Sequence, residues 1–231
     1  MLRTVSLFVA TAGSLSACNG ESGPRPAQVE NEGDVVTVEK EKAAGTDASL
    51  LSTELPPDSE RELIRTEKIT VPFGTIRIRQ MDTPGGIHSE PSRLNVTYFD
   101  QEGDVVLDDP EAVLSGSWGS MDRWSIRHDI GDFPVIEAVG GGTWQGYTCS
   151  WTSLTELAPS GPRELLQYLD YYSSVDGYRS ADLEEYKAEM LPPDQNGTLM
   201  IRYSGTRDQT NTYRRTGNAY ELMSGEELEG C

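Results

Sequence analysis

Histidine is nearly missing from this 231-residue chain, which has two, His88 and His128, against 38 acidic residues. They do not cluster and form no His-Glu-x-x-His pattern, so a His-rich zinc centre and that protease motif are excluded. Neither a Gly-x-Ser-x-Gly elbow nor a Ser-x-x-Lys pair occurs beyond residue 18, which removes the common serine-nucleophile signatures. Basic residues are also scarce, 19 Lys and Arg against 38 Asp and Glu, for a formal charge of −19. A surface this acidic repels phosphate backbones and excludes nucleic acid as a partner. No apolar run beyond the first residues approaches the roughly 18 needed for a membrane-crossing helix. Cysteine is limited to three residues, none in a Cys-x-x-Cys redox motif.

What is present begins at the N-terminus. A single basic residue, Arg3, precedes an uncharged run from Thr4 to Ala17, which closes on Leu15-Ser16-Ala17-Cys18. Here the sequence resembles a bacterial lipoprotein precursor, in which small residues precede an invariant cysteine that is lipidated as the leader is removed. The resemblance covers only about the first twenty residues. It implies a signal peptide over 1–17, acyl lipid of the palmitate class on Cys18, and a membrane anchor. The protein is then expected in the cell envelope, facing the periplasm. Asn19 rather than Asp follows the sorting habit that implies the outer membrane. The leader plays no part in fold reasoning.

With Cys18 set aside for lipid, Cys149 and Cys231 make an even pair in an oxidising compartment, where a disulfide is expected. It would close a loop of about 80 residues and contribute about 4 kcal/mol on the chain-entropy account. Residues 18–60 read as a lipidated N-terminus and a disordered acidic linker. From residue 19 to residue 60 there are ten acids, three bases and no aromatic residue. Such a segment cannot bury enough apolar surface to offset the entropy of ordering it. As a coil it reaches roughly 35 Å.

Residues 61–231 read as one β-rich domain. Ile76 and Ile78 alternate with Arg77 and Arg79, and Leu94, Val96 and Tyr98 alternate likewise before the turn at Gln101–Asp104. Asp109 to Leu114 reads as one helical turn with Pro110 at its first position. His128 shares the phase of Trp124 and Ile126 and is expected in the core. Gly140-Gly141-Gly142 reads as a turn or bulge feeding a long strand to about Leu157, at the centre of the core. Ser180 as a cap and Pro192-Pro193 as a stop predict one short helix over 181–190. The expected fold is mainly β, a single sandwich or barrel-like domain with that one helix.

No cofactor motif is present, since the glycine run does not fit Gly-x-Gly-x-x-Gly. The acidic hairpin residues Asp100, Asp104 and Asp108 are the only metal candidates, as a carboxylate-dense turn suits hard cations, although they miss the calcium-loop pattern. Trp118, Trp144, Tyr171 and Tyr172 form the candidate binding set, because aromatic side chains serve equally as core and as exposed platforms. The functional expectation is a non-enzymatic binding or interaction module of the envelope, with a protein or a glycan as partner. The alternatives are a carboxylate-based hydrolase and a glycan- or small-molecule-binding protein. If Cys18 carries the anchor, the unaltered chain stays in membranes washed with alkaline carbonate, which strips peripheral proteins, whereas Cys18→Ser is washed into the soluble fraction; retention of the variant in the washed pellet would refute the anchor.

Overall fold

The computed structural model describes residues 61–174, 183–194, 196–228 and 230, and these described residues form twelve strands and no helix. All of them belong to one compact unit, Ser52–Cys231. The first sheet is a meander of β1 (Glu62–Val71), β2 (Gly74–Asp82), β3 (Ser92–Phe99) and β4 (Val105–Ser115). The second contains β5 (Arg123–Arg127), β6 (Val135–Trp144), β7 (Tyr147–Ala158) and β8 (Gly161–Ser173). It continues through β9 (Glu185–Leu191), β10 (Thr198–Gly205), β11 (Gln209–Thr216) and β12 (Ala219–Ser224). Every strand pairs antiparallel with its neighbour in sequence, except that β4 and β5 lie in different sheets.

Alternation places the apolar residues on inward faces. Ile76, Ile78, Leu94 and Val96 are fully buried and meet Trp124, Ile136, Ala138 and Leu157 of the second sheet in one cluster. The two sheets therefore share a sandwich-like core. A second cluster lies wholly within the larger sheet and its loops, joining Val135 and Leu154 to Leu199, Ile201, Tyr203 and Tyr220. The eight strands curl around it until β12 lies against β8. The Tyr220 hydroxyl donates to the Ile130 carbonyl at 2.7 Å, joining the last strand to the loop after β5. Strand β7 is the shared wall: every residue from Thr152 to Ala158 is buried, with Leu157 in one cluster and Leu154 in the other. Burying each such leucine contributes about 1.5–3 kcal/mol.

Four expectations are corrected. The predicted short helix is absent, because Glu185–Leu191 is strand β9, paired with β8 and β10. Tyr186 is buried between exposed Glu185 and Lys187, a period of two that overrides the helix propensity of Glu, Lys and Ala. Residues 181–182 and the cap Ser180 lie outside the described residues. Asp109 to Leu114 is not a helical turn but part of edge strand β4. Val96 opposes Asp109 while Leu94 opposes Val113, so Pro110 sits in a bulge that asks no ladder donor of it. The three glycines belong to β6, and the turn is Gln145-Gly146. Both turn residues have positive φ, 50° and 87°, as a type I′ hairpin requires. His128 lies beyond the end of β5 and is exposed.

The buried Glu156 of β7 holds this arrangement together. Its carboxylate accepts from the backbone N–H groups of Asp132 at 2.7 Å and Phe133 at 3.2 Å. It also accepts from Arg163 Nε at 2.7 Å, and from Arg215 at 2.9 and 3.1 Å. Burial alone would raise its proton affinity, but the bonds from Arg215, Arg163 and Phe133 hold it below the ordinary carboxylate value. A folded-state value below the unfolded one gives stability that is present at neutral pH and lost as pH falls through the folded value. Glu156→Gln leaves two guanidiniums facing a neutral amide and destabilises by about 3 kcal/mol at neutral pH. Denaturant unfolding across a pH series should show wild type and variant converging in acid; a gap independent of pH would refute the ionic role.

Candidate binding site

The four tryptophans separate by environment. Trp124 is buried, donates from Nε1 to Gln80 Oε1 at 3.0 Å, and is covered by the Arg65 guanidinium 4.1 Å from its ring. Trp151 is half-buried against the second cluster. Trp118 and Trp144 remain 58% and 39% exposed, so they serve the surface rather than the core.

These two indoles flank His88. Its ring lies edge-on to both, with centroids 5.2 Å from Trp118 and 4.2 Å from Trp144. His88 Nε2 donates to the Thr143 carbonyl at 3.1 Å; since a carbonyl only accepts, the proton sits on that nitrogen. The three rings come from three places in the chain: the β2–β3 loop, the β4–β5 loop and the end of β6.

Short backbone contacts fix these segments to one another. Thr83 N–H donates to the Gly119 carbonyl at 2.9 Å, and Gly119 N–H to the Glu90 carbonyl at 2.7 Å. Ser117 Oγ donates to the Gly141 carbonyl at 2.6 Å, joining the β4–β5 loop to β6. Glycine is required where they meet. A Cβ on Gly119 would stand 2.1 Å from the Thr83 carbonyl oxygen, and one on Gly140 would stand 2.3 Å from Gly116 N. Among the described residues, Trp118 and Gln145 are the non-glycine positions with positive φ, 56° and 50°. One belongs to the aromatic group and the other follows it directly. Left-handed backbone costs about 1 kcal/mol or more for such residues and persists where the surroundings impose it, often at functional sites.

Beside Trp144 a cleft of about 210 Å³ runs between β4 and β6–β8. Trp144, Trp151, Pro91 and Leu114 wall it, over the backbone of Gly140 and Gly141. Its polar side chains are Ser115, Ser153 and Gln167, and no ionisable side chain lines it.

The tyrosines of the candidate set lie at a different place, around the β8–β9 pairing. Tyr171 donates to Glu185 Oε1 at 2.9 Å and lines a shallow hollow of about 380 Å³ with Lys187 and Thr206. Tyr172 stacks on Tyr186 at 5.1 Å, and Arg207 covers the other tyrosine of that pair at 5.7 Å. The structure thus divides the expected set into a tryptophan group and a tyrosine group. Cys149 is buried in β7, whereas Cys18 and Cys231 lie outside the described residues.

The acidic hairpin is held by its own backbone. Asp100 Oδ1 accepts the Asp104 N–H at 2.8 Å, and Asp108 Oδ1 accepts the Thr97 hydroxyl at 2.6 Å. No group of three or more metal-ligating side chains occurs among the described residues. The carboxylates with displaced proton affinity are Asp129, Glu156 and Asp194. All three are displaced downward, by Arg127 at Asp129, by hydrogen bonds that outweigh burial at Glu156, and by the Thr198 N–H at Asp194.

Compared with known proteins, the chain matches no family model, no curated protein and no solved structure. The reading of its function therefore rests on its own residues.

Sequence reasoning missed His88, which stands in the sequence only as one of two scattered histidines. Its neighbours lie 30 and 56 positions away in sequence, and no local pattern links them.

Proposed function

We propose that this chain is an exported, lipid-anchored protein of the cell envelope whose β domain is a non-enzymatic binding module. The Trp118–His88–Trp144 group is its contact face. The observation that carries this reading is two exposed indoles held edge-on around one imidazole by loops that cannot easily move. Exposed, immobilised aromatic rings give large contact area at small entropic cost, which is why tryptophan is enriched among residues that dominate binding. The anchor rests on the resemblance of Leu15 to Cys18, and the linker would let this face reach away from the membrane.

The Cys149–Cys231 bridge belongs to the same proposal. In its support, Cys149 is 1% exposed within β7. Leu228 returns to the cluster that contains Cys149, and a Cβ on Gly230 would stand 2.6 Å from Trp151, so the chain end runs close to β7. Intact-mass measurement without reductant should find the protein lighter by the two thiol hydrogens; equal masses before and after reduction would refute the bridge.

The contact face is tested with the soluble Cys18→Ser chain, co-sedimented with isolated envelope membranes. Trp118→Ala and Trp144→Ala should each weaken sedimentation about tenfold, the usual scale for an aromatic anchor. Undiminished sedimentation of both variants would overturn the assignment.

A further inference from the structure

We infer that the cleft beside Trp144 seats an uncharged sugar ring, with Ser153 as its buried polar contact. This rests on Trp144 being part of the binding face, and it names the chemistry of what that face receives.

Three observations converge on the cleft. Its walls are two indoles, Trp144 and Trp151, with Pro91 and Leu114, while its polar groups are hydroxyls and an amide rather than charges. A pyranose has the matching duality, with an apolar C–H face that lies on an aromatic ring and a rim of hydroxyls that both donate and accept. An indole offers its electron-rich face to polarised C–H groups.

Backbone forms part of the lining, and it is closed to side chains. A Cβ on Gly141 would stand 2.0 Å from the Cys149 carbonyl oxygen, and one on Gly140 would strike Gly116 N. Glycine at 140 lets the start of the β4–β5 loop lie directly on β6, and glycine at 141 lets β6 lie against the β7 backbone, so the floor of the cleft is bare main chain.

Ser153 is the third observation. It opposes Gln167 on β8 and Ala138 on β6, is only 5% exposed, and lines the cleft. Its Oγ has no hydrogen-bond partner among the described residues. A buried hydroxyl left unpaired costs about 1–3 kcal/mol, so a position that keeps one calls for a partner. A serine side chain moves between χ1 wells without disturbing the strand and can meet a ligand hydroxyl.

Other ligand classes fit less well. An acyl chain would bury Ser153 and Gln167 without satisfying them. A cationic peptide would find no acid in the lining, and an anionic ligand would meet the repulsion of a chain of net charge −19.

The test uses the soluble Cys18→Ser chain, titrated with methyl β-glucoside, methyl α-mannoside and N,N′-diacetylchitobiose. Tryptophan fluorescence and saturation-transfer NMR follow binding, and octanoate serves as the acyl comparison. At least one sugar should bind saturably. Ser153→Ala should weaken it about tenfold with no loss of melting temperature, and Gln167→Ala should weaken it independently. If none of the three sugars binds, or if binding is unchanged in both variants, the inference is overturned. Binding of octanoate in place of sugars overturns it in favour of an acyl site. The contact face stands or falls separately on membrane co-sedimentation, so failure with sugars while sedimentation persists leaves that face in place.

Discussion

A single buried carboxylate, Glu156, sets the curvature of the larger sheet. It sits on the interior strand β7, yet its partners come from β8, from β11 and from the loop that leads into β6. Those segments approach one another only if the sheet curls, and the curl encloses the second hydrophobic cluster. Arg215 adds an ion pair with Asp132 at 3.2 Å, and Arg163 donates to Asn218 Oδ1 at 2.6 Å, so the network reaches the turn between β11 and β12. Gly131 has no side chain because a Cβ there would stand 2.4 Å from the Glu156 carboxylate. Charge, hydrogen bonds and the space left by one glycine are thus specified together.

The same curl makes β7 a wall common to two cores, and this fixes where a binding face can form. At one end of β7 the strand is sealed on both sides. At the other, the β4–β5 loop bonds β6 through Ser117 and the β2–β3 loop through Gly119, and His88 of the β2–β3 loop reaches Thr143 near the hairpin turn. Aromatic residues on this rim have a rigid base and a free surface. Residues of the same type deeper in the sheet, such as Trp124, are consumed by the core. Position along the strand, more than residue type, decides which tryptophans are available for recognition.

Much of the fold was legible because alternation is a local signal. Ile76 and Ile78, Leu94 and Val96, and Leu199 and Ile201 stand in the sequence as they stand in the sheets. The misreadings arose where local propensity and tertiary pairing disagree. Glu185 to Leu191 carries helix-forming residues but has partners on both sides as a strand. Pro110 resembles a helix start until the opposing strand is known. Of the site, Trp118 and Trp144 were named from composition, but nothing local distinguished them from Trp124 and Trp151. His88, Glu156 and Ser153 could not be found from the sequence, since each acquires its role through residues far away along the chain or through the absence of any partner.

The bulge at Pro110 also governs what the molecule does beside its own copies. Strand β4 is an open edge, and its outer half carries the exposed apolar residues Val105, Val106 and Leu107. An uninterrupted edge of this kind is a template for adding strands from neighbouring molecules. Here the ladder is broken midway, by a residue that has no N–H to offer and by a shift in register that a straight strand cannot follow. The proline and the register shift thus work together with the carboxylates of Asp108, Asp109 and Glu111 against strand addition along β4.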